Sequence, residues 1–326
     1  MKAVIPVAGI GKRLRPHTLT APKALVPVAG KPILGHIVDS LVEMGVTELV
    51  PIIGYMGELI REYLEAAYDM PMHFVFQEEQ RGIAHAVDLT RPHADNDELI
   101  IILGDTIIQA DFAGIPRAGE YVLGVREVDD PSRFGICSVE EGRITRIVEK
   151  PDEPIGNLAL VGLYYFKDSA PLYESCREII DEGITTKGEF QITDALQRMI
   201  DRRGTIFRPY EIEDWFDCGT VETLLETNRI LLESAAPRAE RAGSIIVPPC
   251  RIHDEAVVEN SIVGPYVSAS RGCSIRRSIV KNSILNEGCS IDGVILDGSV
   301  VGAHAEVAGS GSSINIGDHS RLDRRN

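Results

Sequence analysis

The chain has 326 residues, enough for one large or two unequal domains and too few for three. Hydrophobic residues at 44% and charged residues at 25% exclude a disordered, collagenous or fibrous chain. Lys plus Arg number 33 against 49 Asp plus Glu, and the resulting formal charge of −16 disfavours non-specific binding to nucleic acid or an anionic membrane. A small anion could still be held locally. No apolar stretch approaches the length of a membrane span, and Met1 to Pro6 enters a strand-like run with no cleavable signal pattern, so a soluble cytoplasmic protein is expected. Cys137, Cys176, Cys218, Cys250, Cys273 and Cys289 form no C-x-x-C pair, which excludes a zinc knuckle or redox motif and predicts reduced, mostly buried thiols.

In chain order, Val4 to Val7 reads as a first strand, followed by a Gly-rich basic loop. Pro32 opens a helix whose apolar residues Ile33, Leu34, Ile37, Val38, Leu41 and Val42 recur at helical spacing until Gly45. Glu48 to Ile53 is the next strand, Gly57 to Ala67 the next helix and Phe74 to Phe76 a third strand. The uninterrupted run Leu99 to Leu103 is expected to be a central strand covered on both faces, ending at Gly104-Asp105. This alternation predicts an α/β fold with a Rossmann-like, mostly parallel sheet. Ligands gather at the carboxyl ends of such strands, so Asp105 is a site candidate by position alone.

Beyond about residue 235 the texture changes. Ser234 to Ala239 reads as a linker, and small apolar residues then recur every five or six positions: Ile246, Ile252, Val258, Val263, Ile275, Ile279, Ile284-Leu285, Ile291, Ile295-Leu296, Val300-Val301 and Val307. A six-residue period predicts a parallel β-helix, in which each repeat supplies one short strand and stacking buries an apolar column. The expected domains are 1–236 and 243–326.

Gly9-Ile10-Gly11-Lys12-Arg13-Leu14-Arg15-Pro16 follows the first strand, where glycine backbone and flanking cations suit a phosphate. A dinucleotide fingerprint would need glycine at Leu14. A P-loop would need glycine at Pro6 and Ser or Thr at Arg13. Both readings fail, leaving a loop with Lys12, Arg13 and Arg15, and Lys23 shortly after.

From Pro6 to Leu34 the sequence closely resembles the sugar-1-phosphate nucleotidyltransferase family, in its glucose-1-phosphate thymidylyltransferase and uridylyltransferase branch. The resemblance continues in register through Gln77 to Ala86, Leu103-Gly104-Asp105, Arg133-Phe134-Gly135, Val148-Glu149-Lys150-Pro151, Gly162-Leu163-Tyr164, Lys187 to Asp194 and Trp215 to Thr220. The tail, with Gly309-Ser310-Gly311 and Asn315 to Asp318, resembles the left-handed β-helix of the family's longer members.

The resemblance implies transfer of a nucleotidyl group from dTTP or UTP to a sugar 1-phosphate, glucose 1-phosphate first, giving the NDP-sugar and pyrophosphate. N-acetylglucosamine and mannose 1-phosphates are alternatives. Asp105 and Asp217 match the family's metal-binding aspartates, and two carboxylates with phosphate oxygens suit octahedral Mg²⁺. Arg13 and Lys23 match the positions that grip the triphosphate; a guanidinium fits phosphate bidentately, an ammonium as a point charge. Ala8, Gly9, Gly11, Gln77 and Gly82 fall on the nucleotide side, with the Gln77 amide able to pair with a pyrimidine edge. Gly135, Glu149, Lys150, Leu160, Tyr164 and Lys187 fall on the sugar-phosphate side. Within the loop, Ala8 replaces the first glycine of the usual pair and Lys12 a threonine. Lys187 stands where many thymidylyltransferases carry arginine.

His85 is expected to cap or pack beside the nucleotide loop, His17 to bond the loop backbone, and Trp215 to bury near the Asp217 turn. A GT-A glycosyltransferase would carry Asp-x-Asp after its central strand, whereas this chain has Gly104-Asp105-Thr106-Ile107. A hexapeptide-repeat acyltransferase would use His253, His304 or His319, but the repeat has no long excursion loop to form an acyl-donor site. A non-catalytic scaffold is disfavoured by the intact Arg13, Lys23, Asp105 and Asp217 set. The β-helix is read as an oligomerisation or regulatory element, and the chain as a homo-oligomer.

Overall fold

The aliphatic run at Leu99 lies in the middle of a nine-stranded mixed sheet, every one of its four strand residues buried. The computed structural model describes residues 1–153, 155–233, 241, 243–309 and 315–324. It divides into two compact units interleaved in sequence, Met1–Gly9 with Ile37–Trp215, and Ile10–His36 with Phe216–Asn326. The linker expected at Ser234 to Ala239 lies outside the described residues.

The first unit holds the sheet. Strands β1 (Lys2–Pro6), β2 (Glu48–Ile53), β3 (Val75–Phe76) and β4 (Leu99–Ile102) run parallel, with β1 between β4 and β2. The first strand thus begins and ends earlier than Val4 to Val7, and the third has two residues rather than three. Strands β5 (Tyr121–Glu127), β6 (Gly135–Glu140), β7 (Arg143–Glu149), β8 (Leu158–Phe166) and β9 (Arg208–Glu211) complete the order β7-β6-β8-β4-β1-β2-β3, with β5 on β8 and β9 on β5.

Strand β8 is antiparallel to β4, β5 and β6, and its register with β5 shifts between Leu160 and Tyr164. Gly162 sits in that shift at φ 81°, where a Cβ would lie 2.6 Å from the Leu103 side chain. Only glycine meets both demands, and the irregularity re-aims Leu160 and Tyr164 within one strand.

Helix α1 (Ile33–Met44) carries the predicted apolar stripe, with Pro32 just before its first residue and Gly45 at φ 93° after it. Helix α2 (Gly57–Ala67) has the bounds expected of it. Helices α3 (Ile83–Leu89), α4 (Ala170–Asp181) and α5 (Ile192–Arg203) bury Ala84, Val87, Leu172, Cys176, Ile192 and Leu196 in the same core as Val4, Ile101 and Phe166.

In the second unit, three all-parallel sheets of four, five and five strands of two to four residues form a left-handed β-helix, the parallel coil being what the repeat predicts and its hand what the resemblance implies. Strand alternation sorts its side chains. Ile246, Val263, Val280 and Leu296 face a core with Ile275, Ile291 and Val307, while Ile245, Ile262, Ile279 and Ile295 stack in register on the outside. Ile279 was expected in the buried column; Val280 takes that place, because each short strand alternates in and out. Helix α6 (Val221–Glu233) contributes Asn228, fully buried, whose Oδ1 accepts from Ala29 N at 2.9 Å and Ser268 Oγ at 2.7 Å. One amide thus ties the 10–36 stretch to the coils. All six cysteines are buried and unpaired as disulfides, and among the described residues no helix is long and apolar enough to cross a membrane.

Helices α4 and α5 are joined by charge. The Glu178 carboxylate accepts from Arg203 at 2.5 Å and from Arg198, which together hold it down to about 2. An acid depressed on folding adds stability above its unfolded value near 4.5, and that stability is lost as pH falls toward 2. Glu178 is about one-third exposed, so screening keeps the effect small. We expect Glu178→Gln to lower the Tm by about 1–3 °C at pH 7, with its curve converging on the parent's as the pH of the melts drops through this window.

Candidate active site

In the first unit, the carboxyl ends of β1 and β4 lie side by side. Gly104 N donates to Pro6 O at 3.2 Å, and a Cβ on Gly104 would meet Val7 Cγ1 at 2.2 Å, so the backbone passes too close for any side chain. That approach sets half-buried Asp105 next to the chain leaving β1. The Ala8 methyl is buried against Gly54, 2.9 Å from where a Cβ would stand there, and the Ala8 carbonyl accepts from Gln80 Nε2 at 2.9 Å. The substitution of Ala8 for glycine is thus absorbed by a second glycine. Gly9 is exposed and has no neighbour within 4 Å of an added Cβ.

Gln77 follows β3, is 8% exposed, and its N donates to Ile53 O at 2.9 Å. Its Nε2 reaches only 3.5 Å from Gly82 O, a contact too long to hold the amide strongly. Gly82 stands before α3 at φ 111°, and a Cβ there would lie 2.3 Å from Phe190 O and 2.7 Å from Phe190 N. Phe190 N donates to Arg81 O at 2.8 Å and its carbonyl accepts from Ala84 N at 3.0 Å, with the Arg81 guanidinium over its ring. His85 packs on α3, its buried Nδ1 without a partner among the described residues.

The sugar-side candidates Gly135, Glu149 and Leu160 come together. A Cβ on Gly135 would be 2.7 Å from Thr193 Cγ2, 3.1 Å from Glu149 Oε2 and 3.7 Å from Leu160 Cδ1. Thr193 Oγ1 donates to Glu149 Oε2 at 3.1 Å. Tyr164 is buried beside this group; burial first, then the nearby Glu149 and Asp105 carboxylates, push its phenol well above the ordinary range and keep it neutral. Lys150 Nζ stands 3.6 Å from Glu149 Oε1, and Lys187 Nζ donates to Asp152 Oδ1 at 2.8 Å. Lys187 is thus engaged by a carboxylate at the surface. Trp215 is half-buried, edge-on to Phe134 with ring centres 5.0 Å apart.

In the second unit, Gly11 at φ 66° precedes the turn Lys12–Leu14, and a Cβ on it would meet Lys23 Cβ at 2.8 Å. Thr18 Oγ1 donates to Gly11 O at 2.8 Å. It is Thr18 that bonds the loop backbone; His17 instead meets the Asn315 side chain through Nε2, because its ring turns into the β-helix. A Cβ on Gly219 would lie 2.7 Å from Asp217 Oδ1 and 2.8 Å from Arg13 Nη2, so this glycine is flanked by a carboxylate and a guanidinium.

Within the second unit, Arg13 and Lys23 offer cations and Asp217 a hard oxygen donor; within the first, Asp105 offers a hard oxygen donor and Glu149 an acceptor. No group of three or more His, Cys, Asp or Glu that could hold a metal by itself occurs among the described residues. The Nucleotidyl transferase family matches residues 2–234. This chain belongs to it. The chain is 32% identical to the low-salt glycan biosynthesis nucleotidyltransferase Agl11 of Haloferax volcanii, over 99% of each protein. It is 31% identical to a glucose-1-phosphate thymidylyltransferase of Streptomyces griseus, over 98% of this chain and 99% of that one. Among solved structures, a protein described as a putative glucose-1-phosphate thymidylyltransferase from Bacillus anthracis is similar at a TM-score of 0.62 and 28% identity, covering 74% of this chain and 98% of that one. The nucleotidyl transferase is therefore an enzyme of the sugar-1-phosphate class, which turns an NTP and a sugar 1-phosphate into an NDP-sugar and pyrophosphate.

Three residues of this nucleotidyl transferase went unassigned in the sequence reading: Thr193, Gln80 and Thr18. Each lies inside or beside a quoted motif; Thr193 and Gln80 act by hydrogen bonds to residues distant in sequence, Glu149 and Ala8, and Thr18 by one to Gly11 within its own motif. Gly82 meets the Phe190 main chain more closely than Gly104 meets that of Pro6, at 2.3 Å against 2.9 Å for an added Cβ. We expect Gly82→Ala to displace the Phe190 backbone, raise the NTP KM about tenfold and cost about 1–3 kcal/mol of stability. Gly183→Ala, at φ 68° with nothing within 4 Å, carries positive-φ strain alone and should leave KM unchanged in the same assay.

Proposed function

We propose that the enzyme transfers a nucleotidyl group from dTTP or UTP to glucose 1-phosphate, releasing pyrophosphate. The observation that carries this reading is the approach of Arg13 and Asp217, two residues far apart in the chain, to one point beside Gly219. A guanidinium beside a carboxylate is what a triphosphate with its cation requires. In this reading the sugar phosphate oxygen attacks the α-phosphorus in line as pyrophosphate departs. Positioning and charge neutralisation supply the catalysis, because the attacking oxygen is already anionic. Arg13 and Lys23 hold the triphosphate and stabilise the leaving pyrophosphate. Gln77 and the Gly82 backbone, with Ala8, Gly9 and Gly11, hold base and ribose. Glu149 accepts from sugar hydroxyls over Gly135 and Leu160, Tyr164 closes the floor, and Lys150 and Lys187 take the sugar phosphate.

The carboxylates Asp105 and Asp217 have the hard-oxygen chemistry that Mg²⁺ selects, with phosphates and water completing the donor set. Bound there, Mg²⁺ would neutralise phosphate charge. Thymine and uracil share the imide edge and differ by one methyl, which a pocket separates by only about 1–3 kcal/mol, so both nucleotides are assigned. The functional division we propose is 1–236 for catalysis and 243–326 for self-association or regulation, the latter supported by the outward isoleucine stack of the β-helix.

A matrix of dTTP, UTP, GTP and ATP against glucose, N-acetylglucosamine and mannose 1-phosphates, read by pyrophosphate release, tests the reading. The highest kcat/KM is expected with glucose 1-phosphate and a pyrimidine nucleotide; a purine preference would remove Gln77 from base recognition. Asp217→Asn should reduce turnover at least a thousandfold with an unchanged melt, as expected on removing one charged group from a phosphoryl-transfer site. A fully active variant would remove Asp217 from the site.

A further inference from the structure

Gln80 is exposed, with water on offer for its amide, yet its Nε2 donates to the carbonyl of Ala8, 72 residues earlier in the chain, at 2.9 Å. Ala8 lies where the chain leaves β1 and is 5% exposed. Val7 N still donates to Ile52 O at 2.9 Å, but among the described residues neither Ala8 nor Gly9 takes part in a backbone–backbone hydrogen bond. Gly54 packs on the same residue, since a Cβ there would stand 2.9 Å from the Ala8 methyl and 3.1 Å from the Ala8 carbonyl oxygen. Packing confines the methyl. Only the Gln80 amide fixes the direction of the carbonyl, because a hydrogen bond is directional and a van der Waals contact is not.

Gln80 itself is firmly mounted. Gln77 N is bonded to Ile53 O before it, Arg81 N donates to Glu79 O at 3.0 Å around it, and Phe190 N donates to Arg81 O at 2.8 Å after it. Its amide thus joins a loop held by several main-chain bonds to a segment held by none. Among the described residues no backbone hydrogen bond runs between the two. Unfastened, the Ala8–Gly9 peptide would keep rotational freedom that a bound nucleotide must then remove, whereas ordering completed before binding no longer weakens affinity. The two glutamines of the loop differ in the same sense. Gln77 Nε2 is 3.5 Å from its nearest acceptor, Gly82 O, and so remains available, while the Gln80 amide is engaged.

We propose that Gln80 is a positioning residue for the nucleotide. Its amide fixes the Ala8 carbonyl and thereby sets the spacing between the β1 exit, with Ala8 and Gly9, and the loop that carries Gln77 and Gly82. The inference rests on the nucleotide-side assignment of those four residues proposed above. Gln80 touches neither reacting phosphate in this role; it holds the surface that receives base and ribose. A group that acts equally on the bound ground state and on the transition state changes KM and leaves kcat alone.

Steady-state kinetics of the full chain with dTTP or UTP and glucose 1-phosphate test this, using two variants with unchanged melts. Gln80→Met keeps the length of the side chain and removes the donor. Gln80→His carries a ring N–H the same number of bonds from the backbone as the glutamine amide, and at about pH 8 the ring is neutral. We expect Gln80→Met to raise the NTP KM about three- to tenfold, the effect of one neutral hydrogen bond, with kcat and the glucose 1-phosphate KM each changed less than about twofold. Gln80→His should return the NTP KM to within about twofold of the parent. An unchanged NTP KM in Gln80→Met overturns the proposal. So does a loss shared by kcat and both KM values, the mark of a merely structural role, or a Gln80→His enzyme no better than Gln80→Met. A parent enzyme that prefers a purine nucleotide or another sugar phosphate overturns the substrate assignment instead, and the same comparison made on the preferred pair still decides the role of Gln80.

Discussion

Within the first unit, the backbone crossing of Gly82 and Phe190 is the contact on which the candidate nucleotide-side and sugar-side residues depend. It closes the loop from Gln77 to Gly82 through Phe190 N to Arg81 O and Ala84 N to Phe190 O. It also fixes the entry to α5, whose Thr193 holds the Glu149 carboxylate. A main chain can approach another this closely only where one partner has no Cβ, and the positive φ of Gly82 makes the same demand a second time. Nucleotide-side and sugar-side candidates are thus coupled by three residues of backbone from Phe190 to Ile192, not by a side-chain network. Small displacements there reach both surfaces at once, which is costly when reacting atoms must be aligned closely.

The second unit solves a different problem. A loop rich in Lys and Arg has every reason to remain mobile, since its cations repel and its turns are too short to be stable helices. Here it is pinned at two places by side-chain hydrogen bonds, one buried and one partly exposed. Asn228 accepts from Ala29 and Ser268 at one end, and at the other the His17 and Thr20 side chains meet Asn315 and Asp318. The β-helix is therefore a wall against which the cationic stretch is laid. Its regular coils suit that task, because each turn offers the same corner at the same spacing. The overall charge of −16 and a cationic loop are not in conflict: the excess acid is spread over the chain, whereas Arg13 and Lys23 are placed by a handful of contacts.

Much of this was legible in the residues because local chemistry and tertiary need coincide. The stripe from Ile33 to Leu41 is a helix, Leu99 to Ile102 is a buried strand, and the six-residue period is a β-helix. Illegible features were those decided by distant partners. Ile279 and Val280 are equally apolar, and only the direction of a three-residue strand determines which is inside. His17 was expected on the loop backbone, but Asn315, nearly the whole chain away, captures its ring. Thr193 stood within a quoted motif, and its hydroxyl acquires meaning only when α5 is laid against β7. The gathering of Gly135, Glu149 and Leu160 was anticipated from resemblance; that Thr193 holds the carboxylate in place was not.

The ion pairs of the candidate site follow the same logic of strength and exposure. Lys187 is bound to Asp152, and both side chains are exposed, at 48% and 90%. Such pairs are worth about 0–1 kcal/mol, less than the roughly 1.5–3 kcal/mol of a hydrogen bond to a charged group in a less solvated place. In the proposed reaction an arriving phosphate would compete for Lys187, and Asp152 would serve as its resting partner. Glu149 is different, because it is nearly buried and already accepts from Thr193, so its carboxylate is oriented before any sugar arrives. The sugar side thus combines one carboxylate preorganised by packing with one cation that is free to exchange partners. In the proposed reaction, selectivity for hydroxyl geometry would belong with the fixed carboxylate and charge capture with the exchangeable cation, because only a group that does not move can reject a misplaced hydroxyl.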